Sequence, residues 1–196
     1  MIFNDSKNGR NLQKIVYIVF ILLGFFCKLP LKPGEYTDLE EAFKNPKDVL
    51  VLRYRDNEDN PLKTLPKEIG NLKNLKELYL SRNQLKVLPQ EIWNLKKLQR
   101  MHLSTNELTK LPQEIKNLEG LIEIYLYDNQ FTTLPKEIGN LKNLKELYLE
   151  ENQLTKLPKQ IAALKKLSRL SLEGNQFPSE EKERIKRLLP KCNISF

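Results

Sequence analysis

The chain has 196 residues, 40% hydrophobic and 30% charged, with a formal net charge of +8. That balance belongs to a soluble, folding chain and excludes a disordered one. One histidine and two cysteines, Cys27 and Cys192, exclude a disulfide framework and supply no recognisable metal set or histidine-based triad.

Residues 1–14 are polar and carry Lys7, Arg10 and Lys14, and Ile15–Cys27 is then free of charge. A membrane-spanning helix needs about 20 apolar residues, so this run is too short. A basic start followed by such a run reads as an export signal; a buried strand or helix under the rest of the fold is the alternative. Residues 1–27 are therefore expected to direct export, to the medium or the cell envelope and surface, and to be the chain's one link to a membrane. Gly24-Phe25-Phe26-Cys27 loosely follows a bacterial lipoprotein box, with Phe26 bulky where a small residue is usual. Cys27 is the candidate lipidation site. Residues 28–36 read as a linker rich in Pro and Gly.

The spacing from Thr37 to Glu40 fits a capping box that opens a short helix, in which Leu39 and Phe43 share a face. Asn45-Pro46 closes it, because the residue before proline avoids the helical region. Val49–Leu52 is a strand candidate. Three extra residues fall among Asp56–Pro61, so 37–62 reads as an N-terminal cap with an irregular first repeat.

From 63 to 177 the chain repeats. Asn83, Asn106, Asn129, Asn152 and Asn175 each follow the last by 23 residues, and Leu65-Pro66, Leu88-Pro89, Leu111-Pro112, Leu134-Pro135 and Leu157-Pro158 keep the same step. Leucines at this period predict a leucine-rich repeat solenoid. The fold class is an α/β solenoid: an arc with a parallel concave sheet, short helical or extended convex segments, and helical caps at both ends. Strands are expected around Leu78–Leu80, Met101–Leu103, Ile124–Leu126, Leu147–Leu149 and Leu170–Leu172. The asparagine amides are expected to bond backbone groups at the turns and to stack into a ladder. Ile69, Ile92, Ile115, Ile138 and Ile161 face the core from the convex side. Trp93 stands where sister repeats hold Gly70 and Gly139, and reads either as a peripheral contact or as a cover for Leu95.

Residues 178–196 read as a C-terminal cap. Ser179 is a candidate N-cap, Glu180 and Glu181 suit the first turn and Arg184, Lys186 and Arg187 the last. Pro190 stops the helix. Cys192, Ile194 and Phe196 then alternate with polar residues like a short strand.

From about residue 36 onward the chain resembles the secreted leucine-rich repeat proteins of pathogenic bacteria, spirochaetes in particular, with a 23-residue period. The likeness is carried by LPKEIGNLKNLKELYL (Leu65–Leu80), its near copy Leu134–Leu149, and SEEKERIKRLLPKC (Ser179–Cys192). It implies a curved solenoid and an exported protein that binds host or environmental macromolecules, a setting of adhesion and virulence. Departures at Gln160–Ala163, Gly120 and Ile122 are expected at the surface.

Strand residues alternate between faces, so three columns should point out of the concave sheet. The central column is Arg53, Tyr79, His102, Tyr125, Tyr148 and Ser171. Before it stand Glu77, Arg100, Glu123, Glu146 and Arg169; after it, Arg55, Ser81, Ser104, Tyr127, Glu150 and Glu173. Tyrosine is rigid, amphipathic and enriched at binding hot spots, so Tyr79, His102, Tyr125, Tyr148 and Tyr127, with Arg100, Glu123, Glu146 and Glu150, form the candidate ligand face. Cross-strand stacking that merely stabilises the sheet is the alternative. The lysines, among them Lys63, Lys73, Lys96, Lys136 and Lys165, fall on the flanks and convex side. A nucleic-acid groove would join cations and aromatics on one face, so no nucleic acid is expected; an acidic polysaccharide on the lysine flank remains the second reading. The function expected is binding of a protein by a monomer, without catalysis, cofactor or metal.

Overall fold

A coil that returns every 23 residues buries the same face each time, and the only partner for that face is the next coil. The computed structural model, which describes residues 31–54 and 61–196, obeys this. Eight parallel strands lie in sequence order in one open, curved sheet: β1 (Glu35–Tyr36), β2 (Val51–Arg53), β3 (Glu77–Tyr79), β4 (Arg100–His102), β5 (Glu123–Tyr125), β6 (Glu146–Tyr148), β7 (Arg169–Ser171) and β8 (Asn193–Ser195). The compact unit is Pro33–Phe196. Residues 1–27, read above as an export signal with Cys27 as the candidate lipidation site, lie outside the described residues, as do Arg55 and residues 56–60.

β1 was not expected; it falls inside the stretch read as a linker, where Glu35 pairs with Val51. The helix α1 (Leu39–Lys44) begins one residue later than the capping box implies. Asp38, not Thr37, is its N-cap, with the carboxylate accepting from the Glu41 N–H at 2.9 Å. At the other end α2 (Ser179–Leu188) takes Pro178 as N-cap with no side-chain bond, so Ser179 is the first helical residue and not the cap. Proline's preset φ serves there. α2 is tied to the last coil through Leu157, whose N–H goes to Glu181 (3.0 Å) and whose carbonyl accepts from Arg184 (2.5 Å). Both backbone groups would otherwise lack a partner from a following coil.

On the convex side each coil makes one 3₁₀ turn, as in Lys67–Asn71 and Lys136–Asn140. Proline precedes each, where its missing N–H leaves no bond unmade, and the isoleucine of each turn is fully buried. Ile161 is among them, so the departing stretch Gln160–Ala163 runs through the core and not along the surface; its other residues, like Gly120 and Ile122, are half-buried. A Cβ added to Gly139 would collide with the Gln160 carbonyl oxygen, and one on Gly70 would meet the Glu91 Cβ at 2.5 Å. Those coils stack at a spacing that Trp93 could not share. Trp93 is 3% exposed and part of the core, so it fills its interface from within and is not a peripheral contact.

The asparagine ladder is present. Asn129 accepts from the Leu108 N–H at 3.0 Å and donates to the carbonyls of Leu103, Leu126 and Tyr127. Asn83, Asn106, Asn152 and Asn175 repeat the pattern one coil apart. Each amide sews a turn to the coil before it. The residue preceding each asparagine is left-handed: Arg82, Thr105, Asp128 and Glu151 have φ between 50° and 60°, and Gly174 has φ 71°.

Candidate functional site

The parallel register aligns identical repeat positions, and so builds columns of side chains across the concave sheet. Tyr79, His102, Tyr125 and Tyr148 stand opposite one another strand by strand. Their rings stack at centroid separations of 4.2, 4.1 and 4.4 Å, with tilts of 19°, 10° and 11°. Arg53 caps one end, its guanidinium 3.7 Å from the Tyr79 ring centre, and Arg169 lies 6.0 Å from Tyr148 at the other. The stacking weighed against a binding role is therefore present. The inner rings turn their faces to each other and offer edges outward.

Each tyrosine hydroxyl donates to the glutamate two residues before it: Tyr79 to Glu77 (2.7 Å), Tyr125 to Glu123 (3.4 Å) and Tyr148 to Glu146 (2.6 Å). Arg100 lies between Glu77 (2.6 Å) and Glu123 (3.1 Å), and Arg169 donates to the Tyr148 hydroxyl at 2.6 Å. Partial burial works to raise the pKa of Glu77, yet the Tyr79 hydroxyl and Arg100 outweigh it and hold the carboxyl below its usual range. Burial is also the main cause that pushes Tyr125 well above the ordinary phenol value, with Tyr148, Glu123 and Glu146 adding to it. His102 is pulled down to about 4, first by burial and then by the Arg53 charge. It is a neutral ring at physiological pH.

The third column differs from expectation in part. Tyr127 is 40% exposed and free to meet a ligand with its ring, but Ser104 has no exposure, and in the central column Ser171 has only 8%. A short side chain between larger neighbours lies beneath the surface they define. Glu150 is half-buried, and burial, joined by the Glu173 charge, raises its pKa. Glu35, hydrogen-bonded to Arg53 at 2.6 Å, extends the face and was missed. Its signal was the dipeptide Glu35-Tyr36 in strand-like alternation, too short to read.

Twelve flank and convex lysines (63, 67, 73, 76, 86, 96, 97, 136, 142, 145, 165 and 166) are exposed. The Cys192 thiol borders a groove of about 330 Å³ with Ala162 and Leu188, and burial pushes it up to about 11. A thiol held protonated is a poor nucleophile. Among the described residues no three potential ligands converge on a metal position, and no helix is long and apolar enough to cross a membrane.

Residues 36–130 match the family model described as a leucine-rich repeat region, and residues 120–177 match a second leucine-rich repeat model. Among solved structures, a leucine-rich repeat protein of Leptospira interrogans is 48% identical, over 80% of this chain and 39% of that one, with a TM-score of 0.72. The ectodomain of the Arabidopsis thaliana receptor kinase GASSHO1/SCHENGEN3, in complex with Casparian strip integrity factor 2, is 33% identical over 82% of this chain and 19% of its own, with a TM-score of 0.67. Internalin C2 of Listeria monocytogenes is 25% identical over 86% and 68%, also at 0.67. The chain thus spans less than two fifths of the Leptospira protein's length. No curated protein matches it.

Proposed function

Because the chain is a leucine-rich repeat protein whose concave sheet carries a pre-aligned aromatic and ionic face, we propose that it is a non-enzymatic module that binds a protein ligand there. The observation that carries this is the fixed geometry of the Tyr79–His102–Tyr125–Tyr148 column beside the exposed Tyr127. Side chains locked by their neighbours lose little entropy on binding, and preorganisation of this kind raises affinity. Support also comes from the similar plant receptor ectodomain, itself complexed with a protein factor. The reading includes a monomer exported by residues 1–27 to the medium or cell surface, acting on host or environmental macromolecules in adhesion or virulence.

Tyr127 is the residue to test, since its ring lies outside the stack. Peptides selected on the folded protein from a random dodecapeptide display library supply the ligand. Tyr127→Ala should weaken them by about tenfold or more, about 1.4 kcal/mol, with thermal unfolding unchanged. Selected peptides that bind Tyr127→Ala and Tyr148→Ala as tightly as the wild type would overturn the reading.

The twelve exposed lysines support a second reading, contact with an acidic polysaccharide or an envelope-structural role along the flanks. Retention on heparin that falls steeply with salt is its mark, and retention indifferent to salt would remove it.

A further inference from the structure

Glutamate and arginine alternate along one row of the concave sheet from Glu77 to Arg169, and Arg53 reaches in from the adjoining column, since Val51 holds the row between Glu35 and Glu77. Arg53 pairs with Glu35 at 2.6 Å and reaches Glu77 at 3.4 Å; Arg100 bridges Glu77 and Glu123; Arg169 approaches Glu146 at 3.5 Å. The alternation breaks once. Glu123 and Glu146 are direct register partners on β5 and β6, about 4.8 Å apart by strand spacing. Among the described residues no cation pairs with both. Like charges directly opposite one another destabilise a sheet, so this step favours a cation from outside.

A second observation is independent of the carboxylate pair. Among the described residues, three buried side-chain polar atoms lack a hydrogen-bond partner, and all three belong to this face: His102 Nε2, Ser104 Oγ and Glu150 Oε2. Ser104 is wholly buried, two residues beyond His102 on the same side of its strand. Neutral imidazole nitrogen, hydroxyl and carboxylate oxygen can all accept a hydrogen bond, and an orphaned buried acceptor calls for a donor. Arginine carries five donors and no acceptor, in a planar fork that serves two carboxylates at once. Arg100 already does this between Glu77 and Glu123. Lysine, a strongly hydrated point charge, matches the geometry less well. From Glu146 to Glu150 is four residues, about 13 Å along a strand, which an extended segment of about four residues spans.

We propose that the concave face over β4, β5 and β6 takes an extended, arginine-bearing segment of a protein ligand. The guanidinium lies between Glu123 and Glu146, beside the edges of Tyr125 and Tyr148, and a backbone N–H of the same segment serves the half-buried Glu150 carboxylate. This rests on the binding-module reading above and names the chemistry of its partner.

The library-selected dodecapeptides, resynthesised with citrulline in place of arginine, provide the probe, since citrulline keeps the shape and loses the charge. Selected sequences should share an arginine, and its exchange for citrulline should cost about tenfold or more in affinity for the wild type. In the Glu123→Gln/Glu146→Gln variant the two peptides should bind within about twofold of each other, a coupling that isolates the pair. Should the double variant fold poorly, Glu146→Gln alone must show at least half of that coupling on a logarithmic scale. A citrulline penalty undiminished in these variants overturns the arginine assignment. So do selected sequences without arginine that still need Tyr127, and in that case the binding-module reading stands. Peptides indifferent to Tyr127→Ala and Tyr148→Ala bring down both.

Discussion

The imidazole of His102 lies 4.1 Å from the Tyr125 ring, tilted by only 10°, with its Nε2 buried and without a partner among the described residues. Tyr79 closes the other side at 4.2 Å. Folding therefore favours the neutral ring. The unfolded chain takes up this proton near 6.5 and the folded protein only near 4, so the unfolded state binds more protons between those values and stability rises with pH across them. His102 is the one histidine in the chain, and no other side chain titrates ordinarily in the upper part of that window. Acidifying from pH 6.5 towards 4.5 should cost on the order of 1–2 kcal/mol, the full shift being discounted for the ring's partial exposure. Urea midpoints across that range measure it, and His102→Phe should flatten the dependence. Glu150 works in the opposite sense, because its raised pKa makes the folded state gain protons as pH falls.

Thr105 holds φ at 55°, where a β-branched residue is strained. The equivalent position in the last repeat is Gly174, at φ 71°. Thr105→Gly should stabilise the fold by about 0.5–1 kcal/mol, the relief of strain exceeding the added freedom of the unfolded chain. Denaturant unfolding would show it as a higher midpoint at unchanged slope.

Asn129 and Asn175 hold the same ladder position, but Asn129 is 7% exposed while Asn175 is half-buried beside the C-terminal cap. Asn129→Ala should cost about 1–3 kcal/mol, because the Leu108 N–H loses its partner away from water and the Leu103 and Leu126 carbonyls each keep only the bond from Asn106 or Asn152. Asn175→Ala should cost less, since water can replace part of the lost bonding. Equal losses in thermal unfolding would contradict the ladder account.

Trp93 fills an interface that glycine holds at the equivalent positions 70 and 139. Trp93→Ala should destabilise by about 3–5 kcal/mol through the cavity left behind. A loss below about 1 kcal/mol, in the range of surface substitutions, would mean that the neighbouring coils close up and that the indole is a passenger.

How much was readable beforehand differs from one residue to the next. The positions of Leu78, Ile92 and Asn106 follow from a period that repeats five times, since a coil that buries one leucine must bury its equivalents. The order Tyr79–His102–Tyr125–Tyr148 follows from the same period, because parallel strands in register set equal positions side by side. Asp38 capping α1 in place of Thr37 was not legible: two adjacent residues offer a capping oxygen, and packing of Leu39 and Ala42 against the first coil chooses between them. The burial of Trp93 was equally hidden, because an indole on a convex position faces in or out according to how closely two particular coils stack.

Local repetition in the amino-acid order determined the coil, the direction of its strands and which side chains share a column, for these depend on period alone. Tertiary packing decided what those columns do to one another. Ring on ring, arginine between glutamates, and Glu123 facing Glu146 with no cation of the described residues shared between them all arise from contacts about 23 residues apart in sequence. Distances and tilts of that kind are set only when the coils close upon each other.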